Sequence, residues 1–213
     1  MKQSAAETWS AVHLERIALF DDLKSLTPDQ WTLPSLCPGW DVHDVLAHLI
    51  DSAKTTRLGF ICRLIAARFD FDKDNAVGVS KERRTDPAET LQAFGEVISL
   101  TSTPPADLAT RLVEAYVHGE DIRRVLGIQG NYPTKHVLTA LAYQLRTSTK
   151  MGGGKERAAG WKLVATDAEF EFGEGPEIRG NAISLLMAVS GRPIAAEELA
   201  GAGAEAFYKR ITG

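Results

Sequence analysis

Apolar residues that recur every three or four positions are the feature of this sequence that most restricts its fold. They follow this spacing in four segments, which begin near residues 4, 41, 87 and 106. The spacing places the apolar side chains of each segment on one face of an α-helix. Because such a helix must bury that face, the pattern predicts an antiparallel four-helix bundle.

Residues that commonly begin and end helices agree with these segments. Asp41 is suited to cap the second helix with Asp44 three residues later, and Pro87 is suited to a first helical turn. The polar, aperiodic residues 70–86 are predicted to be a loop that crosses the end of the bundle. We expect helices over residues 4–26, 42–69, 87–101 and 106–126.

After residue 130 the sequence changes character. We expect helices over residues 134–147, 181–189 and 204–211, and short strands over residues 161–167, 168–175 and 176–180. The prediction is a mainly α protein with a smaller α+β part. It has two domains, a helical bundle over residues 1–130 and a small α/β domain over residues 131–213.

Composition excludes several classes of protein. A net charge of -4 and a pI near 5.8 give no electrostatic footprint for nucleic acid. No apolar run approaches the roughly 20 residues of a membrane helix, and the N-terminus lacks a secretory signal, so we expect a cytoplasmic protein. Two cysteines are too few for a disulfide framework. The expected partners are small molecules, and the chain is expected to be a monomer or a homodimer.

Potential metal ligands occur on the fourth predicted helix. Glu114 and His118 are four residues apart, which turns them only about 40° apart on an α-helix and lets both reach one ion. Asp121 follows three residues later on the same line. Such a pair is also common on solvated helices, so the pair alone does not establish a site.

His48 on the second predicted helix completes a ligand set. A single histidine at the border of a core face is more often a hydrogen-bonded core residue. Together with Glu114 and His118, however, it offers two histidines and one glutamate with a fourth position open, which is the ligand count of a catalytic zinc site. Asp44 and Asp121 each lie one turn from a ligand histidine and could orient it, although helix capping is as good a role for Asp44.

Other polar residues are assigned no chemistry. Cys37 lies in a turn with no cysteine or histidine at ligand spacing and is predicted to be inert. Arg123 and Arg124 are expected on the solvated face of their helix. The remaining histidines are predicted to be structural or solvated: His13 near a core face, His43 in an exposed first turn, and His136 at a helix start.

Three motifs, CPGWDVHDVLAHLI, VEAYVHGEDIRRVLGI and EIRGNAISLLMAVSGRP, resemble the mycothiol-dependent maleylpyruvate isomerase family in sequence and order. That family is a branch of the DinB-like metal-binding bundles. The resemblance implies a DinB-like four-helix bundle that holds a divalent metal, usually zinc, and a C-terminal α/β domain that covers the site. It implies His48, Glu114 and His118 as ligands, and mycothiol as the thiol cosubstrate. Arg192 matches a basic residue that contacts substrate, although its segment is equally suited to ending a helix.

We therefore expect metal-activated thiol chemistry, either isomerisation or S-transfer on a small electrophilic substrate. Two alternatives stay open at this point. A metal-bound water could support hydrolysis, with Asp121 as the candidate base. A metal-binding or sensor protein without turnover would use the same residues, because a fold does not determine a function.

Overall fold

The structure, a computed structural model, describes residues 4–212. The chain divides between residues 130 and 131 into two compact units. Most of the described residues are helical, and a small three-stranded sheet accompanies them, so the predicted mainly α class is confirmed. Within residues 4–212 no helix is both long and apolar enough to cross a membrane.

The N-terminal unit is built from helices. Its described helices are α1 (Ala5–Leu23), α2 (Pro28–Trp31), α3 (Val42–Lys54), α4 (Arg57–Ala66), α5 (Phe71–Glu82), α6 (Pro87–Val97) and α7 (Ala109–Leu126). Helices α1, α3, α6 and α7 correspond to the four predicted segments, and α3 packs against α6 and α7. Their apolar faces share one core, which includes Leu19, Leu23, Val45, Leu46, Leu49, Phe94, Val97 and Ile122.

A capping box sets the start of α3. The Asp41 carboxylate accepts a hydrogen bond from the backbone N–H of Asp44 at 2.7 Å, and the Asp44 carboxylate accepts one from the N–H of Asp41 at 3.2 Å. These bonds satisfy amide groups that have no partner within the helix. They determine where the helix that carries His48 begins.

The predicted helix over residues 42–69 is two helices. Helix α3 ends at Lys54, Thr55 is extended, and the Thr56 hydroxyl caps α4 by accepting a hydrogen bond from the Gly59 N–H at 3.1 Å. A threonine side chain that bonds nearby backbone competes with helix continuation. The apolar spacing continues across this break, so the spacing alone predicted one continuous helix.

The predicted loop over residues 70–86 is wrong, because it contains α5. Asp70 caps this helix through the Lys73 N–H at 3.0 Å. The side of α5 that faces the unit buries Asp74, Gly78 and Glu82 beside a single valine. An inner face made of charged residues and glycine has no hydrophobic period.

The C-terminal unit combines helices with the sheet. Strand β1 lies between the other two, parallel to β3 with Leu163 opposite Ile178, and antiparallel to β2 with Leu163 opposite Phe172. Helix α10 packs on α8 and on β1. The elements are α8 (Thr134–Gln144), α9 (Lys155–Ala158), β1 (Lys162–Ala165), β2 (Glu171–Phe172), β3 (Glu177–Gly180), α10 (Ala182–Val189) and α11 (Ala204–Thr212).

Candidate metal centre

The three predicted ligands lie on two helices that pack together. His48 is on α3, and Glu114 and His118 are on α7. The imidazole rings of His48 and His118 have centroids 4.8 Å apart and are inclined at 74°. The Glu114 carboxylate is close enough to both imidazoles to interact with them electrostatically. Packing of α3 on α7 therefore places His48 beside His118, with Glu114 one turn earlier on α7. The ligand atoms that lie within 4.8 Å of one another belong to a different set, Cys37, His118 and Asp121.

His48 carries a buried nitrogen that lacks a partner. Its Nδ1 has no hydrogen bond to any residue in the described part of the chain. Trp40 packs against the ring with a centroid distance of 5.0 Å. Burial, aided by the neighbouring His118, lowers the pKa of His48 to about 3. The imidazole is therefore neutral at physiological pH, and a neutral imidazole nitrogen is a good metal donor.

His118 is oriented from behind by an aspartate. Its Nδ1 lies 2.9 Å from Oδ2 of Asp121, whose side chain is fully buried. A carboxylate on one imidazole nitrogen sets the tautomer and directs the other nitrogen outward. Nε2 of His118 is thereby left for another contact. The three-residue spacing on α7 is the signal for this pair.

Glu114 is held by two polar neighbours. Arg111 Nη2 lies 2.9 Å from Glu114 Oε2, and the Ser52 hydroxyl donates to the same oxygen. Arg111 Nη1 also donates to Ser52 Oγ at 2.8 Å. Burial alone would raise the pKa of Glu114, but the Arg111 guanidinium and the hydrogen bond from Ser52 act against it, and that pKa lies below its usual range. The carboxylate is therefore ionised.

The turn before α3 brings a thiol to this region. Cys37, His118 and Asp121 each offer a possible ligand atom, and these atoms lie within 4.8 Å of one another. The backbone N–H of Leu36 donates to the carbonyl of Asp121 at 3.2 Å, which ties the turn to α7. Sequence spacing gave Cys37 no cysteine or histidine partner, whereas the fold places it near His118 and Asp121. That Cys37 is inert stays a prediction. A second possible ligand set thus shares His118.

Asp44 is engaged elsewhere. One of its oxygens accepts from the Asp41 N–H, and the other accepts from Arg83 at 2.7 Å. Its contacts are therefore those of a capping and ion-pairing residue. Arg192 lies in the C-terminal unit just after α10, where its N–H donates to the carbonyl of Met187 at 3.0 Å.

Two other predictions are corrected by burial. Arg123 is 1% exposed rather than solvated, and it forms ion pairs with Glu15 and Asp22. His43 is 3% exposed, and its Nε2 lies 2.7 Å from the Thr90 hydroxyl. Both side chains are buried because partners on other helices satisfy their polar atoms.

The N-terminal part of the chain is similar to a known domain family. Residues 12–100 match the family model described as the mycothiol maleylpyruvate isomerase N-terminal domain. The match includes Cys37 and His48 and ends before α7, so it does not reach Glu114 or His118.

The fold of mycothiol-dependent maleylpyruvate isomerase is shared over most of the chain. Its crystal structure is 15% identical, with a TM-score of 0.66, and covers 95% of this chain and 94% of that one. A histidine-to-alanine mutant of a protein of the same name is 14% identical, with a TM-score of 0.68 and the same coverage. At this identity the likeness shows the fold. No curated protein sequence matched the chain.

Proposed function

We propose that the protein is a metal-dependent enzyme that uses a low-molecular-weight thiol, mycothiol, for isomerisation or S-transfer on a small electrophilic substrate. One observation carries the proposal: a buried Nδ1 of His48 without a partner, beside His118 and an ionised Glu114. The domain family of residues 12–100 and the shared fold support it, since those proteins are named for mycothiol.

The residues fit a divalent ion. Two imidazoles and one carboxylate are donors that zinc accepts, and three protein ligands leave a fourth position open. An ion held by His48, Glu114 and His118 would give the orphaned Nδ1 of His48 a partner. When bound, zinc would lower the pKa of a thiol in its open position and so keep the nucleophilic thiolate.

The side chains around the ligands have separate tasks in this proposal. Asp121 holds the tautomer of His118, and Trp40 shields His48 from water. A thiolate that adds to an activated double bond and later leaves gives isomerisation, whereas one that displaces a leaving group gives S-transfer. We propose Arg192 as a contact for a substrate carboxylate.

Hydrolysis is less well supported by the geometry. It needs a base beside the attacking water, and Asp121 is the candidate that the sequence offered. Its side chain is fully buried and its Oδ2 is bonded to His118. A buried carboxylate that already bonds His118 is better suited to orient that histidine than to accept a proton from water.

Metal analysis tests the ligand set. After incubation with zinc and removal of the excess, the wild type should retain about one ion per chain. His48→Ala and His118→Ala should lose it, because each removes one of three donors. His13→Ala is the matched control, since His13 contacts the Leu100 carbonyl rather than the site.

Cys37→Ser separates the two possible ligand sets in the same experiment. We expect it to keep the ion. Loss of zinc in Cys37→Ser with retention in His48→Ala would instead favour the set of Cys37, His118 and Asp121. A wild type that stays free of metal contradicts the proposed function.

Thermal unfolding with mycothiol tests the thiol. A ligand that binds the folded state raises the unfolding temperature, and here the rise should require zinc. His118→Ala should show no rise at the same thiol concentration. A rise of equal size in metal-free and zinc-loaded wild type, or none in either, would show that the metal does not hold the thiol.

A further inference from the structure

Three side chains form a closed ring at the edge of the candidate site. Ser52 donates to Glu114, Arg111 donates to Ser52, and Arg111 pairs with Glu114. Ser52 is 8% exposed and Arg111 is 6% exposed. The ring joins α3 to α7 one turn beyond His48. Neither Ser52 nor Arg111 belongs to the ligand set proposed above.

Within the ring, the contacts to Glu114 are made by one of its two carboxylate oxygens, Oε2. Both Ser52 and Arg111 contact Oε2 of Glu114. Among residues 4–212, no hydrogen bond reaches Oε1 of Glu114. Two donors on one oxygen restrict rotation of the carboxylate. The second oxygen is therefore oriented and available.

The ring also changes the charge of the site. Arg111 is a permanent cation, and it lies in direct contact with the Glu114 carboxylate. Their charges cancel, so Glu114 does not offset the charge of a divalent ion held beside it, and that charge attracts an anion in a site screened from water. The other charged groups near these residues are the Asp121 carboxylate behind His118 and the Arg16 guanidinium, which are of opposite sign.

We propose that Ser52 and Arg111 are positioning residues for Glu114: they hold one carboxylate oxygen, orient the other toward the ion, and cancel the glutamate's charge, so that the open position prefers an anion such as a thiolate. This inference rests on the proposed function. It adds two residues to the site and a charge preference for the ligand that completes it.

Ser52→Ala tests the positioning role without changing any charge. Loss of a side chain that hydrogen-bonds to a metal ligand typically lowers metal affinity by about 10- to 100-fold. We expect zinc to bind Ser52→Ala more weakly by about that factor, measured by competition with a chelating dye. Ser52→Thr keeps the hydroxyl and should restore most of the affinity. The unfolding temperature of the metal-free variants shows how far folding itself is affected.

Ser184→Ala is the matched control. Ser184 is fully buried and donates to a glutamate, Glu198, but it lies on α10 in the C-terminal unit. It should leave the zinc affinity unchanged. If the wild type binds zinc and Ser52→Ala binds it within twofold, the positioning role is overturned while the proposed function stands. If the wild type binds no zinc, the proposed function itself fails.

Arg111→Met and Arg111→Lys test the charge preference. In cobalt-loaded protein, azide is the anionic probe and imidazole the neutral probe, and visible absorption follows their binding. Arg111→Met should lower the ratio of azide affinity to imidazole affinity several-fold, because Glu114 then offsets the charge of the ion. Arg111→Lys keeps the charge and should keep the ratio. An unchanged ratio in Arg111→Met overturns the charge preference.

Discussion

Individual buried polar residues are where sequence and structure differ most. Arg123 is a charged residue, and the sequence favours a solvated position for it. Its guanidinium instead pairs with Glu15 and Asp22 on α1. Asp22 is 101 residues away in the sequence. A local pattern shows that a residue is charged, but not that a distant helix supplies the opposite charge.

The residues of the candidate site also differ in whether local sequence could predict them. Glu114, His118 and Asp121 are within one or two turns of α7, so helical spacing was sufficient to place them together. Ser52 and Cys37 reach the site only through the packing of other segments on α7. No spacing within one segment could have indicated them.

Burial of His43 predicts a pH dependence of stability. Burial is the main cause that lowers the pKa of His43, and Arg83 adds to it. Below the ordinary pKa of about 6.5 the unfolded chain binds a proton that the folded chain does not, so the folded state loses stability as pH falls. In metal-free protein, the free energy of unfolding should fall by up to about 1.4 kcal/mol per pH unit from this residue.

Chemical denaturation between pH 7.5 and pH 5.5 measures this effect. His43→Gln can still bond Thr90 but does not titrate, so its stability should depend less steeply on pH than that of the wild type. His13→Gln is the control, because His13 is less buried. Equal slopes in wild type and His43→Gln would show that His43 does not titrate differently in the folded and unfolded states.

Among the helices, α4 and α5 differ most from the prediction. Both are attached to the unit by ion pairs more than by apolar contact. Arg63 of α4 donates to Asp51 of α3 at 2.7 Å and to Asp74 of α5 at 2.8 Å. Lys54 pairs with Glu82 at 2.6 Å. Hydrophobic period detected α1, α3, α6 and α7, which share an apolar core. It ran through the break before α4 and missed α5, whose inner face is charged.

Helix α4 should be the least stable helix of the N-terminal unit. None of its residues is buried, whereas α3 buries ten, so opening α4 exposes little new apolar surface. Hydrogen exchange followed by mass spectrometry should show its amides exchanging at least about tenfold faster than those of α3.

Arg63→Met should raise the exchange rate of α4 further, because it removes the pairs with Asp51 and Asp74. Arg57→Met, at an exposed position of the same helix, should not. Protection of α4 equal to that of α3 would show that the ion pairs are worth as much as the apolar core.

For the molecule as a whole, the class of fold was predictable and the finer division into helices was not. Periodicity indicated the mainly α class and the small sheet, and the shared fold over 95% of the chain agrees with that class. The family match ends at residue 100, before Glu114 and His118. Helical spacing and family similarity therefore contribute different parts of the candidate site.

The ring of Ser52, Arg111 and Glu114 joins segments far apart in the chain, because Ser52 and Glu114 are separated by 62 positions. An unfolded chain retains only the local pair of Glu114 and His118, so the complete site exists only after α3 and α7 have packed. On the proposed function, the ion would arrive after folding and would slow unfolding rather than nucleate the fold. Ion supply in a cell would then set the lifetime of the finished molecule and leave the speed of its assembly unchanged.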